Sequence, residues 1–215
     1  MAIIAVIQQK GGVGKSTITA NLAGELVEKK LIVRVLDLDP QQSLAIWSRM
    51  GGGVLADIVG PVSIKSPKEF KAVVEAAANE AEWVLLDCPP GSPDTGLMAA
   101  LLSDIALLPV TPSPLDVIAS KAALELIQDV QRQRANERPV IAYVPSRMIQ
   151  NTILARDLET TLKPTMQRIL PGISQGIAIA ESVMKGLTLR EYAPSSEGVK
   201  EFQDLATAVR TMVKG

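Results

Sequence analysis

Five short apolar runs recur along the chain: AIIAVI from Ala2, LIVRVLDLD from Leu31, EWVLLDCP from Glu82, DIALLPV from Asp104 and PVIAYVP from Pro139. Each has the length and Val/Ile/Leu content of a strand buried on both faces, the signature of parallel pairing. Between them, segments such as STITANLAGELVEKK and SPLDVIASKAALELIQDVQRQR place apolar residues at helical spacing with charges on the other side. This β-α alternation predicts right-handed crossovers and a mostly parallel twisted sheet covered by helices on both faces. Gly51-Gly52-Gly53 and the stretch 61–67 mark loops, between which a short edge strand is expected at Val62–Lys65. Beyond Gln150 the pattern turns helical, through TILARDLETTLKPTMQRIL and IAIAESVMKG to a closing helix from Ser196 to Val213. No repeat, low-complexity tract or linker divides the sequence, so one domain over residues 1–215 is expected.

Composition narrows the chemistry. Hydrophobic residues make up 47% of the chain and aromatics only 3%, which suits aliphatic strands packed between helices. The formal charge is −1, so any binding to nucleic acid or an anionic membrane must come from a local patch. Histidine is absent, which leaves carboxylates as the candidate general bases. The single cysteine, Cys88, has no C-x-x-C partner; it reads as an apolar filler at a strand end and argues against iron–sulfur chemistry. No apolar run approaches the roughly 18 residues of a membrane span, so a soluble, cytoplasmic protein without stable membrane insertion is expected.

Residues 8–17, QQKGGVGKST, follow the first strand and open the first helix, the setting in which a G-K-[ST] ending marks a phosphate-binding loop. The backbone of Gly11, Gly12, Val13 and Gly14 would cradle phosphates, and Lys15 would reach the terminal ones. The Ser16 hydroxyl suits Mg²⁺, and Thr17 suits the α-phosphate. Asp87, after four apolar residues, stands where a Walker-B carboxylate holds the metal or its water. In LDLDPQQS, Asp37 and Asp39 would point to the same side of an extended chain that Pro40 stops. Lys10 is one lysine more than such a loop needs.

KGGVGKST, DLDPQQS and LLDCPPG, in this order and spacing, resemble the deviant Walker-A P-loop ATPases of the ParA/MinD superfamily. VTPSPLDV and LTLREYAPSSEGVKEF narrow the resemblance to ParA-like partition ATPases, especially the short ParF-like type. The resemblance spans essentially the whole chain. It implies an ATPase using ATP, ADP and Mg²⁺ that forms a homodimer in its ATP state. Lys10 would then act in trans, on the phosphates bound by the other subunit. Lys10, Lys15 and Asp39 become the catalytic candidates, with Asp39 positioning or activating the attacking water and Ser16, Asp37 and Asp87 at the metal. Gln41 and Gln42 would help the same loop sense the γ-phosphate. Ser113 and Pro114 read as a helix cap and first turn, and by resemblance their loop contributes to the dimer interface. Ser146 and Arg147 fall where relatives approach the adenine base.

By the same resemblance the ATP dimer would bind DNA without sequence preference, be nucleoid-associated, and answer to a small adaptor or ParB-like centromere-binding protein, moving a plasmid or a protein assembly. From Lys163 onward the basic residues are Lys163, Arg168, Lys185, Arg190, Lys200, Arg210 and Lys214, of which Lys185, Arg190, Lys200 and Arg210 are the DNA candidates. Many relatives carry arginine where this chain has Gln175 or its neighbours. A MinD-like membrane regulator is the alternative and would need a basic amphipathic tail, whereas EFQDLATAVRTMVKG has balanced charge and reads as a packing helix. A P-loop ligase or nitrogenase-type reductase would need further substrate residues or bridging cysteines, which the sequence lacks.

Overall fold

A computed structural model describes residues 1–64 and 66–214. Among the described residues, β1 (Ala2–Val6), β2 (Val33–Asp37), β3 (Val59–Pro61), β4 (Trp83–Asp87), β5 (Ile105–Val110), β6 (Val140–Pro145) and β7 (Arg168–Ile169) form one sheet. Its order is β3-β2-β4-β1-β5-β6-β7, and every neighbouring pair is parallel. β1 lies at the centre, with Ala2 opposite Trp83 on one side and Ile4 opposite Ile105 on the other.

Because β1 is apolar at every position, it faces a core on both sides. Ile4 and Val6 pack towards α1 (Lys15–Glu28), α2 (Ser43–Gly51), α3 (Val54–Ile58), α9 (Leu189–Tyr192) and α10 (Glu197–Lys214), through Leu22, Leu44, Leu55, Leu189 and Phe202. Ile3 and Ala5 pack towards α4 (Pro67–Glu80), α5 (Pro93–Leu102), α6 (Pro114–Gln133) and α7 (Ile153–Leu162), through Phe70, Ala99, Ile127 and Leu158. The remaining helix, α8 (Ile177–Met184), edges the crevice above the strand ends. The sheet is therefore doubly covered. Chain order along the sheet reverses direction at β1, and ligands of such folds settle at that switch, beyond the carboxyl ends of the strands.

Several boundaries differ from the sequence expectation, each for a local reason. The run from Leu31 to Asp39 is a strand only over Val33–Asp37, because the Asp37 carboxylate accepts the Asp39 N–H at 3.0 Å and turns the chain before Pro40 is reached. The edge strand lies at Val59–Pro61 instead of Val62–Lys65, and Lys65 itself is outside the described residues. The helical stretch expected to run through TMQRIL stops at Leu162; a 3-10 turn holding Pro164 and a left-handed Met166 then lead into β7. Ser113 does sit at the start of α6, with Pro114 in the first turn, but its side chain makes no capping bond. No described helix is long and apolar enough to cross a membrane.

Candidate functional site

β1 delivers the chain to residues 8–14, which wrap the N-terminus of α1. Gly12 and Gly14 have φ of 77° and 91°, the left-handed region that side-chain-bearing residues rarely adopt, so the loop's shape requires glycine there. α1 begins at Lys15 with no side-chain cap at Gly14, leaving its first N–H groups free for an anion. The loop is held from outside. Ser146 Oγ donates to the Val13 carbonyl at 2.5 Å, Arg147 Nη1 donates to the Gly12 carbonyl at 2.8 Å, and the Gly91 N–H donates to the Gln9 carbonyl at 2.8 Å. Arg147 takes φ 53°, backbone strain of the kind that persists where the surroundings over-determine a site. The two residues expected at the adenine base thus fasten the phosphate loop.

A cavity of about 880 Å³ opens over this loop, lined by Gly11, Gly12, Gly14, Lys15, Ser16 and Thr17 at one end. Ile149, Ile173, Ile179 and Val183 make its other end apolar, and Asp39 enters from the side. An anion-binding end, an apolar end and a volume of several hundred Å³ describe a nucleotide pocket. Lys15 is 7% exposed and donates to the Lys10 carbonyl at 3.1 Å. Burial pulls its ammonium below the usual lysine range, against the opposing pull of Asp87, Cys88 and Asp39.

The three aspartates part company here. Asp39 lines the cavity and accepts the Gln41 N–H at 2.9 Å. Asp37 is fully buried, its two oxygens accepting the N–H groups of Asp39 at 3.0 Å and Ala45 at 2.9 Å, so it anchors both the Asp39 loop and the start of α2. Burial, ahead of these bonds, raises its carboxyl. Gln42 adopts a left-handed φ of 52° at the start of α2. Asp87 closes β4 beneath Ser16, accepting from Thr19 Oγ1 at 3.3 Å. Burial pushes its carboxyl up to about 7, the nearby Asp37 charge adds to this, and the Ser16 and Thr19 hydroxyls and Lys15 oppose it. A desolvated carboxylate beside a serine hydroxyl fits Mg²⁺, which takes few protein oxygens and completes its shell with phosphate and water. Cys88 is buried and its thiol is pushed up by desolvation, the apolar filler the sequence suggested.

The raised Asp87 sets a pH dependence. Its folded value lies above the unfolded one, so the contribution of this group to stability is most favourable in acid and is lost as pH rises from about 4 to about 7. Asp87→Asn, always neutral, is expected to melt several degrees above the wild type at pH 8 in nucleotide-free, metal-free buffer, with the gap narrowing towards pH 5. Thermal melts across that range check it; equal melting temperatures throughout would contradict a desolvated carboxylate.

Lys10 faces away from its own cavity. Its ammonium pairs with Asp116, a buried carboxylate in the first turn of α6 that also accepts from Thr111. The loop before α6 therefore does more than start a helix. The DNA candidates are scattered. Lys185 and Lys200 are exposed and Arg210 is half-buried, while the Lys214 side chain is outside the described residues. Arg190 is committed elsewhere: Nε and Nη2 reach the two oxygens of Glu25 in α1 at 2.9 and 2.7 Å. Glu25 is 2% exposed, and Arg190 is the partner that compensates its buried carboxylate, so Arg190 ties α9 to α1. Sequence reasoning missed Asp116 as a partner for Lys10 and Glu25 as a partner for Arg190; both pairings join residues more than a hundred positions apart.

Comparison with known proteins agrees with this geometry. The CobQ/CobB/MinD/ParA nucleotide binding domain matches residues 4–189. The chain is 32% identical to the maintenance of carboxysome distribution protein A of Halothiobacillus neapolitanus, over 74% of this chain and 73% of that protein. It is 27% identical to the chromosome-partitioning ATPase Soj of Thermus thermophilus, over 98% and 96%. Among solved structures, the MinD cell division protein of Aquifex aeolicus superposes with a TM-score of 0.79 at 17% identity, covering 98% of both chains. MinD of Pyrococcus horikoshii complexed with Mg-ADP gives 0.76 at 20% identity, covering 99% of this chain and 97% of the other.

Proposed function

Because the chain belongs to the CobQ/CobB/MinD/ParA nucleotide binding domain family, we propose that it is a partition or positioning ATPase that dimerises on ATP. The ATP dimer binds nucleoid DNA without sequence preference, and a small partner protein stimulates hydrolysis and release of a plasmid or protein cargo. The observation that carries this reading is the second lysine. Lys10 is not among the described residues lining the cavity, and its ammonium is directed to Asp116 instead. A cation beside a phosphate loop that does not serve its own site suits a site in a second copy. Leu115 and Ile118, exposed on α6 on either side of Asp116, suit the same face.

Each group then has a task. The N–H groups at the start of α1 and the Lys15 ammonium bind the β- and γ-phosphates. Ser16 and Asp87 would hold Mg²⁺, which neutralises charge on the phosphate oxygens when bound. Asp39 orients the attacking water, and Asp37 keeps the Asp39 loop in place. Lys10 leaves Asp116 for the partner's phosphates, so charge developing in the transition state is met only when two subunits join. Coupling turnover to assembly makes the nucleotide a timer for DNA attachment.

DNA binding that requires ATP is the test. Anisotropy with unrelated duplexes at several salt concentrations should show binding with ATP, none with ADP, and no sequence preference. Lys185→Ala combined with Lys200→Ala should weaken it and flatten the salt dependence by about 0.9 per lost phosphate contact, with ATP dimerisation intact. An ATP form that ignores DNA at low salt but sediments with anionic liposomes would replace this reading with a MinD-like membrane regulator. Against that alternative, α10 has its apolar face already packed in the core through Phe202, Leu205 and Val209.

A further inference from the structure

The apolar end of the cavity is walled by the segment 173–176, which runs on from β7 to the start of α8. This wall is an extended strip gripped along both edges. On its inner edge, Ile173 N–H donates to the Pro145 carbonyl at 2.8 Å, Met148 N–H donates to the Ile173 carbonyl at 3.0 Å, and Gln175 N–H donates to the Met148 carbonyl at 2.8 Å. These bonds tie it to the same stretch that bears Ser146 and Arg147. An extended chain points alternate N–H groups to opposite sides, so Ser174 N–H faces outward, where no strand follows among the described residues.

The outer edge is met by one carboxylate. Glu201, in α10, accepts the Ser174 N–H on Oε2 at 2.8 Å and the Ser174 hydroxyl on Oε1 at 2.5 Å. Its neighbours Val199 and Phe202 are buried in the core, so the carboxylate is presented from a fixed helix. Two charge-assisted bonds to one residue set both position and orientation. The phosphate end needs none of this, because Ser146 and Arg147 hold that loop directly.

We propose that Glu201 is a positioning residue for the nucleotide base: by gripping Ser174 at two points it holds the wall against which the base packs. The inference rests on the cavity being the nucleotide site. Its consequence is a division of labour within one pocket. The loop around Lys15 holds phosphate, and the C-terminal helix, through Glu201, holds in place the wall that a base would contact. Loss of the carboxylate frees the outer edge of the wall and lowers affinity only for ligands that carry a base.

Calorimetric titration of the full chain with ATP, GTP and inorganic tripolyphosphate separates the two ends. Glu201→Ala is expected to weaken ATP about tenfold and to narrow the ATP/GTP preference, with tripolyphosphate affinity unchanged. Ser174→Ala, which removes the hydroxyl's bond to Glu201 and its 3.5 Å contact from Gln150 but keeps the Ser174 N–H bond to Glu201, should weaken ATP about threefold with the same indifference to tripolyphosphate. Glu201→Gln keeps an acceptor for the Ser174 N–H and should recover most of the loss, and together with Ser174→Ala it carries the test if Glu201→Ala does not fold. Equal losses for ATP and tripolyphosphate would make Glu201 a general stabiliser, and unchanged ATP affinity in every variant would leave it without a role at the base; either result overturns the proposal while the nucleotide site stands. A wild-type chain that binds neither ligand would instead remove the nucleotide site itself.

Discussion

Lys15→Ala is expected to abolish measurable ATP binding while leaving the fold in place. Lys15 is the one cation among the loop residues that line the cavity's phosphate end, and burial has already removed most of its water. A charge-assisted contact to phosphate in such a setting is worth about 3 kcal/mol, which at 1.4 kcal/mol per decade is a loss of at least about a hundredfold in affinity. The apolar layers on both faces of β1 contain no contribution from this side chain, so the far-UV circular dichroism and cooperative melting should be retained. Titration with a fluorescent ATP analogue measures the loss. Affinity within threefold of the wild type would mean that Lys15 does not face phosphate.

Lys10→Ala and Asp39→Ala should both stop turnover, but at different stages. Without Lys10 each subunit still has its own complete cavity, so ATP binds; the cation owed to the partner is missing, and the chain stays monomeric. Asp39 borders the cavity, whose described lining includes no residue of the α6 face that carries Leu115 and Ile118, so Asp39→Ala should accumulate as an ATP-bound dimer. A cation supplied in trans contributes about a thousandfold or more to the rate of phosphoryl transfer, so hydrolysis by Lys10→Ala should fall to that extent. Multi-angle light scattering with ATP, alongside phosphate release, distinguishes the two. If both variants dimerise equally, the roles assigned to Lys10 and Asp39 are wrong.

How far the sequence reveals the molecule depends on the range of the interaction. β1, β4, β5 and β6 are visible as apolar runs because strands buried on both faces cannot alternate with polar residues. β3 and β7 are short and lie at the sheet edges, where half-exposed positions leave no such run. The phosphate loop is legible because its residues are contiguous and their order dictates their geometry. Asp37 and Asp39 look equivalent two positions apart in an extended chain, and only the turn between them makes one an anchor and the other a cavity residue. Arg190 reads as a free surface cation until Glu25 is seen beneath it, and nothing near Ser174 in sequence announces Glu201.

The central place of β1 has a consequence for synthesis. Its two neighbours in the sheet begin at Trp83 and Ile105, so AIIAVI leaves the ribosome with no strand to pair with. At typical translation rates it waits on the order of ten seconds before either flank exists. During that interval a fully apolar hexapeptide has neither of its sheet partners. The phosphate loop matures later still, since the side chains that fasten it, Ser146 and Arg147, emerge after both flanking strands. The pocket over that loop is therefore complete only after the central strands have emerged.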